Sequence, residues 1–398
     1  MMKKKTVFMG LSGGVDSATS AALLQKEGYE VVGVFIKTWH PDFLECNEKE
    51  ERRDAMRVAA HLDIPFLTFD FEDVYKKEVA DYMISEYKAG RTPNPDVMCN
   101  KQVKFGAFLK KAISMGADYV ATGHYARVAR ASRKFKVLKV RKEGRLYKLN
   151  EPYELLTGRD SAKDQSYFLW TLRQEQLKRI LFPVGHLKKT EVRKLAKKFN
   201  LPVRDKKDSQ GICFLGDVDL KNFLKHYIKE KKGKVLLAPP EAGNEKGEEI
   251  GYHDGVVFST LGERHGFTIT KKNPNDGPYY VVGKDMKKNV LYVSQKNTKN
   301  FLAFLHPAGG TFRQQNSQHF SVRLGNTNWI SVIPISYDLK PKTYSCQIRY
   351  HGEFLPCQIK ITSKTTAEVI FEKPVLVASG QSCVIYDKDI CLGGGVVV

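Results

Sequence analysis

Three short runs in this 398-residue chain combine residue types and spacings suited to phosphate or thiol chemistry. Ser12-Gly13-Gly14-Val15-Asp16-Ser17 stands between a predicted strand and a predicted helix. Its glycines let the backbone turn tightly enough for successive N–H groups and a helix N-terminus to point at a phosphate chain, and Ser12 and Ser17 add hydroxyl donors. No lysine closes the loop, so it is not a phosphate loop of the G-x-x-x-x-G-K-[ST] kind. A plain glycine turn with a capping serine is the other reading. Cys99 closes the run Asn94-Pro95-Asp96-Val97-Met98-Cys99, where Pro93 and Pro95 disfavour helix in the residues before them. A predicted helix starts near Lys101, and Lys104 follows; a helix N-terminus and ammonium groups depress a thiol pKa and raise its reactive thiolate fraction. Inert burial is the commoner fate of a cysteine, and residue type alone favours it for Cys99. Cys213 lies in Asp208-Ser209-Gln210-Gly211-Ile212-Cys213-Phe214, a turn-forming run that says little by itself.

Apolar strands alternating with amphipathic helices must position these runs. The pattern predicts strands at 5–11, 31–37, 65–69 and 118–122, and helices at 16–27, 47–62, 74–88 and 101–115. That βαβα rhythm implies α/β architecture, a parallel sheet with helices on both faces. Ligands in such sheets bind at the carboxyl ends of strands, which singles out the loops after Leu11, Ile36 and Thr122. A basic hairpin is expected at 127–149. Helices are expected at 165–180, at 191–199 with Thr190 as N-cap, and at 219–231, and a linker at 239–251. Beyond it, short strands are expected at 256–259, 279–282, 290–293, 320–323, 331–335, 346–350, 357–361, 368–371 and 383–387. They suggest a small mixed domain followed by a barrel or sandwich.

Composition sets the outer bounds. With 42% hydrophobic and 27% charged residues the chain reads as folded and globular, and no apolar run approaches the roughly 18 residues of a membrane span. The N-terminal apolar stretch is too short for a signal peptide. Seven widely spread cysteines (46, 99, 213, 346, 357, 383, 391) lack CxxC or zinc spacing, so a disulfide framework is not expected and the cytoplasm is. The net charge of +21 is uneven: residues 1–100 hold 13 basic and 17 acidic side chains, residues 101–200 hold 25 and 8. Residues 178–207 alone hold 11 and 2, with Arg193, Lys194, Lys197 and Lys198 on one predicted helix. Such concentration suits a polyanionic partner; a solvated surface is the alternative.

The glycine–serine loop resembles the PP-loop of the ATP pyrophosphatases, which implies ATP as cosubstrate and Asp16 as a holder of Mg²⁺. The ordered set of runs at 10–17, 94–100, 121–127, 163–170, 208–214, 262–266, 348–352 and 380–386 is similar to the tRNA-specific 2-thiouridylase family, over nearly the whole chain. That resemblance implies a PP-loop, adenine-nucleotide-hydrolase-like domain at 1–217, a small central domain at 218–297 and a tRNA-contacting β-barrel at 298–398. It places ATP on Gly10, Leu11, Ser12, Gly13, Gly14, Val15, Asp16 and Ser17, with adenosine near Ile36 and Gly123. Met is common in the family where Ile36 stands; a contact made mainly through backbone should survive the change.

The same resemblance makes Asp96 the acid/base, Cys213 the persulfide carrier and Cys99 the resolving thiol, joined in a transient Cys99–Cys213 disulfide. It implies tRNA contacts at Asn94, Pro95 and Asp96 on the target base, and at His124, Lys163, Asp164, Gln165, Arg349, Tyr350 and Gln381. As plain structure, Asp164 would be a helix cap, His124 a satisfied loop histidine and Arg349 a strand-surface charge. Implied partners are wobble-uridine tRNAs for Lys, Glu and Gln, and a persulfide-delivering relay protein or cysteine desulfurase. Two other readings compete: a different PP-loop enzyme, amide-forming or tRNA-modifying, and a non-catalytic RNA-binding protein. Amide formation needs neither Cys99 nor Cys213, and the intact loop argues against a dead fold.

Overall fold

The computed structural model describes residues 4–44, 47–131, 153–208, 219–238, 247–271, 274–295, 312–315, 319–330 and 343–398. Its first strands are β1 (Thr6–Gly10), β2 (Glu30–Lys37), β3 (Phe66–Asp70) and β4 (Tyr119–Ala121). An antiparallel pair, β5 (Ala126–Arg130) and β6 (Tyr153–Thr157), precedes β7 (Ile180–Leu181). The order β3-β2-β1-β4-β7 forms an all-parallel sheet. Val7 and Met9 of β1 pack into one apolar cluster and Phe8 into another, so both faces of the sheet are covered and its strands read as continuous apolar runs. The chain leaves β1 for β2 on one side and returns to β4 on the other. The loops after β1 and β4 therefore meet at the carboxyl ends of adjacent strands, the usual ligand position.

The central region is a mixed sheet of β8 (Gly233–Leu237), β9 (Glu248–His253), β10 (Phe267–Ile269), β11 (Tyr280–Asp285) and β12 (Val290–Ser294), in the order β10-β9-β8-β12-β11. The C-terminal strands are β13 (Phe312–Gln315), β14 (His319–Trp329), β15 (Tyr344–Gln347), β16 (Leu355–Ile361), β17 (Ala367–Phe371), β18 (Ser382–Asp387) and β19 (Ile390–Val397). Pairing of β14 with β19 closes β14-β17-β16-β15-β18-β19 into an antiparallel barrel, with β13 paired to β14. The expected α/β fold, with a small mixed domain and a C-terminal barrel, is what the chain adopts.

Several local expectations change. The expected helix 165–180 is a 3-10 turn (Ser166–Leu169), a short helix (Gln174–Leu177) and β7. Here the Asp164 carboxylate accepts the N–H groups of Gly158 (2.8 Å) and Ser166 (3.1 Å), while Tyr167 Oη and Trp170 Nε1 donate to Ser382 of β18. These bonds tie the segment to the barrel. Helix Lys189–Lys198 is capped at Lys188, whose N–H donates to Glu191 at 2.7 Å, so Thr190 lies inside the first turn. Residues Val256–Phe258 are a 3-10 turn, and β9 occupies part of the expected linker. β6 pairs with β19, which adds the β5–β6 pair to the barrel sheet. Most of the basic 127–149 stretch and the expected strand 331–335 lie outside the described residues.

Candidate active site

The loop after β1 is shaped by glycine. Gly13 has φ +72°, and a Cβ there would lie 2.4 Å from the Glu51 carbonyl oxygen. Gly14 caps helix Val15–Lys26 in extended backbone without a side-chain acceptor, leaving a role that an anion can fill. Ser17 Oγ accepts the Ser12 N–H at 3.3 Å, donates to the Gly14 carbonyl at 3.0 Å and lies 3.2 Å from Ser12 Oγ. From the loop after β4, a Cβ on Gly123 would stand 2.9 Å from both Asp16 C and Ser17 N. The structure thus brings Gly10–Ser17 and Gly123 together. Leu11 and Val15 of the loop are buried in one apolar cluster and Ile36 in another.

Asp16 opens a chain of charges. Its carboxylate accepts Tyr125 Oη at 2.7 Å and Lys189 Nζ at 2.7 and 2.8 Å. Lys189 also reaches Asp208 at 2.8 Å, and Asp208 pairs with Lys163 (2.8 Å) and Arg193 (2.5 Å). Burial would raise the Asp208 pKa, but Lys163 and Lys189 outweigh it and hold the carboxyl well below its ordinary range. Burial, then Asp16, pushes the Tyr125 hydroxyl up, so it stays a donor. No cluster of three metal-binding side chains occurs among the described residues. The Asp16 carboxylate beside a phosphate site fits Mg²⁺, which takes one or two carboxylates and completes its shell with water and phosphate oxygens.

The Cys99 run sits where the sheet domain meets the barrel. Asn94 Oδ1 accepts the Val97 N–H at 3.1 Å and caps the turn Pro95–Met98, with Asp96 in its first turn. Cys99 follows, fully buried, at the start of a wide-wound π-helical stretch Cys99–Phe108. Burial raises the Tyr167 pKa, opposed by a hydrogen bond from the Asn94 side chain and by the Arg349 charge. Phe168 lies 4.4 Å from the Tyr350 ring. Burial, then Asp164 and Asp96, pushes the Tyr350 hydroxyl up to about 12. Asn94, Asp96, Asp164, Arg349 and Tyr350 therefore share one neighbourhood. Beside it opens a cavity of about 290 Å³, with Gln347, Tyr350, His351, Phe354 and Lys388 in its wall.

Other expected residues are placed differently. His124 is buried against the Phe105 and Phe182 rings with Nδ1 2.7 Å from Thr122 Oγ1, and burial lowers its pKa well below the usual value. In this conformation it buttresses the loop after β4. Gln165 Oε1 accepts the Tyr125 N–H at 3.0 Å, and Gln381 Oε1 accepts the Ala378 N–H at 3.2 Å. Arg193, expected on a phosphate-facing surface, is turned inward to Asp208 and to the Arg204 and Lys206 carbonyls. Cys213 and Cys46 lie outside the described residues, as does the run 209–214. Sequence reasoning missed Lys189 and Tyr167. Lys189 lies outside every one of the matched runs, and Tyr167 lies within the run 163–170 without a role read from it; only tertiary packing reveals their partners.

A glycine–serine loop at the switch point of a parallel sheet, with the Asp16 carboxylate beside it, defines an α/β enzyme of the ATP-using PP-loop class. Residues 5–217 match the family described as tRNA methyl transferase HUP domain, 221–295 the tRNA methyl transferase PRC-barrel domain, and 319–397 the aminomethyltransferase beta-barrel domain. The tRNA-specific 2-thiouridylase MnmA 1 of Geobacillus kaustophilus is 43% identical over 401 residues, covering 100% of this chain and 96% of that protein. The tRNA-specific 2-thiouridylase MnmA of Listeria monocytogenes is 41% identical over 397 residues, covering 98% and 94%. Identity at that level over the full length leaves one assignment: the chain belongs to the tRNA-specific 2-thiouridylase family.

Proposed function

We propose that the chain converts the wobble uridine of tRNA to 2-thiouridine through an adenylated intermediate. ATP on the loop Gly10–Ser17 is attacked at its α-phosphorus by the uridine C2 oxygen, and pyrophosphate leaves. A uracil carbonyl oxygen is a poor leaving group, whereas AMP is a good one. Mg²⁺ at Asp16 would neutralise charge on the departing pyrophosphate. The terminal sulfur of a Cys213 persulfide then adds to C2 and AMP departs, with Asp96 moving the proton. Attack by the Cys99 thiolate on the Cys213 sulfur frees 2-thiouridine and leaves a Cys99–Cys213 disulfide, which a cellular thiol must reopen. The persulfide would come from a relay protein or a cysteine desulfurase, and the substrates would be tRNAs for Lys, Glu and Gln in the cytoplasm. No helix among the described residues is long and apolar enough to cross a membrane.

The observation that carries this reading is the shared neighbourhood of Asn94, Asp96 and Tyr350 at the domain junction, with buried Cys99 on the adjoining turn. Tyr350, His351 and Phe354 beside it suit a splayed, unpaired base, which proteins hold by stacking and edge contacts. The test is mass spectrometry of tRNA nucleosides after incubation with ATP, Mg²⁺ and a persulfide donor. Wild type should make 2-thiouridine, whereas Cys213→Ser and Cys99→Ser should not; product from Cys213→Ser would overturn the assigned carrier. ATP–pyrophosphate exchange that ignored tRNA but answered to a small carboxylate would point to an amide-forming enzyme instead.

A further inference from the structure

The phosphate loop carries hydroxyls and N–H groups but no cation. The structure supplies one from 173 residues away in sequence. Lys189 opens helix Lys189–Lys198, and its side chain is only 14% exposed. Its ammonium contacts both oxygens of Asp16 and one of Asp208, with the Tyr125 ring centroid 5.9 Å away. Tyr125 Oη also donates to Asp16 Oδ1, so both oxygens of that carboxylate are engaged. A divalent cation arriving with the nucleotide needs at least one of them. The ammonium must then yield its place on Asp16, and the nearest new anion is the phosphate chain that brought the metal.

We infer that Lys189 is the pyrophosphate-binding cation of this enzyme, held on Asp16 in the free protein and turned to the β- and γ-phosphate oxygens when the nucleotide binds. Asp208 keeps the ammonium aimed at the loop throughout. Lys163 and Arg193 keep Asp208 ionised and in place, so the cluster around the phosphates carries three cations against two carboxylates. No covalent step is added: Lys189 stabilises the negative charge that collects on the leaving pyrophosphate. The inference rests on the proposed use of ATP and assigns a residue to its polyphosphate end.

The test is isothermal titration of ATP, AMP and inorganic pyrophosphate, each with Mg²⁺, into wild type, Lys189→Met and Lys189→Arg, with thermal unfolding of each protein alongside. Removing a charge-assisted hydrogen bond should weaken ATP and pyrophosphate about 10- to 100-fold in Lys189→Met. AMP, which lacks the β- and γ-phosphates, should bind within about twofold of wild type, and Lys189→Arg should recover part of the affinity. If ATP and AMP weaken equally, or Lys189→Met binds pyrophosphate like wild type, the role is merely structural and the inference fails. If Lys189→Met does not fold, Lys189→Arg decides it: ATP should bind this variant more weakly than wild type while AMP stays within about twofold. Weakening of both together in that variant overturns it. Wild type that bound none of the three ligands would overturn the nucleotide reading itself.

Discussion

Gly123→Ala tests whether the loops after β1 and β4 build one nucleotide site. The added Cβ would stand 2.9 Å from Asp16 C and Ser17 N, and 3.2 Å from Asp16 Cβ. Ordinary carbon contacts lie near 3.5 Å or beyond, and backbone atoms cannot rotate aside as a side-chain tip can. The two loops must therefore separate by roughly half an ångström, and overpacking of that kind costs about 1–3 kcal/mol. The displaced atoms belong to the first helical turn that would face the phosphates. If the cost falls on the bound geometry, ATP affinity drops about 5- to 150-fold. Isothermal titration with ATP measures the drop, and urea unfolding shows how much strain the free protein absorbs. Gly277→Ala, where nothing lies within 4 Å, is the control. An ATP Kd within twofold of wild type, together with an unchanged urea midpoint, would falsify the close approach of the loops.

Three further outcomes are expected. Tyr167→Phe removes a buried donor to the Ser382 carbonyl (2.9 Å) and should lower unfolding free energy by about 1–2 kcal/mol, read as a lower urea midpoint; an unmoved midpoint would show the bond carries no net stability. Lys284 has its pKa lowered to about 8 by burial, against the opposing charge of Glu263. Between that value and the unfolded lysine pKa near 10.4 the folded state binds fewer protons than the unfolded one, so this group's contribution to stability rises with pH across the window. Lys284→Met should remove that rise, and identical pH slopes for the two proteins would contradict it. Lys194 and Lys197 are exposed on helix Lys189–Lys198, and replacing both with Ala should weaken tRNA binding at low salt and flatten its log–log salt slope by about 0.9 for each phosphate no longer neutralised. An unchanged slope would make that face ordinary surface.

What the sequence made legible follows from local physics. Buried apolar runs and amphipathic periods pointed to the parallel sheet, because β1 and β2 are apolar on both faces. The glycine loop was legible because Gly13 needs positive φ and close approach to Glu51, constraints visible as glycine in the sequence. β19 was not legible. No strand was expected beyond 383–387, yet the run Gly393-Gly394-Gly395 is strand, and Cβ atoms there would strike Asn328 O (2.1 Å), Cys383 O (2.4 Å) and Leu324 Cβ (2.9 Å). Glycine is required because β19 is squeezed between β14 and β18, and that crowding is tertiary. Lys189 was hidden for the same reason: one lysine in a basic stretch has no local mark of its partners.

The geometry also explains why a nucleotide-binding sheet needs two further domains. The segment leading into Asn94–Cys99 is held by both of them. Lys284 of β11 donates to the Gly90 carbonyl (3.2 Å) and to the Ser259 carbonyl (2.6 Å), and Thr92 Oγ1 lies 3.2 Å from Thr260 Oγ1. From the barrel side, the Thr92 N–H donates to the Ser379 carbonyl at 2.8 Å. Gly380, at φ +91°, passes so close that a Cβ would stand 2.9 Å from Thr92 N and O. The phosphate loop makes no such cross-domain contacts in its Ser12–Ser17 hydrogen bonds, which close within the loop itself. Nucleotide binding can therefore be a property of the sheet domain, whereas the position of Asp96 and Cys99 depends on all three domains being docked.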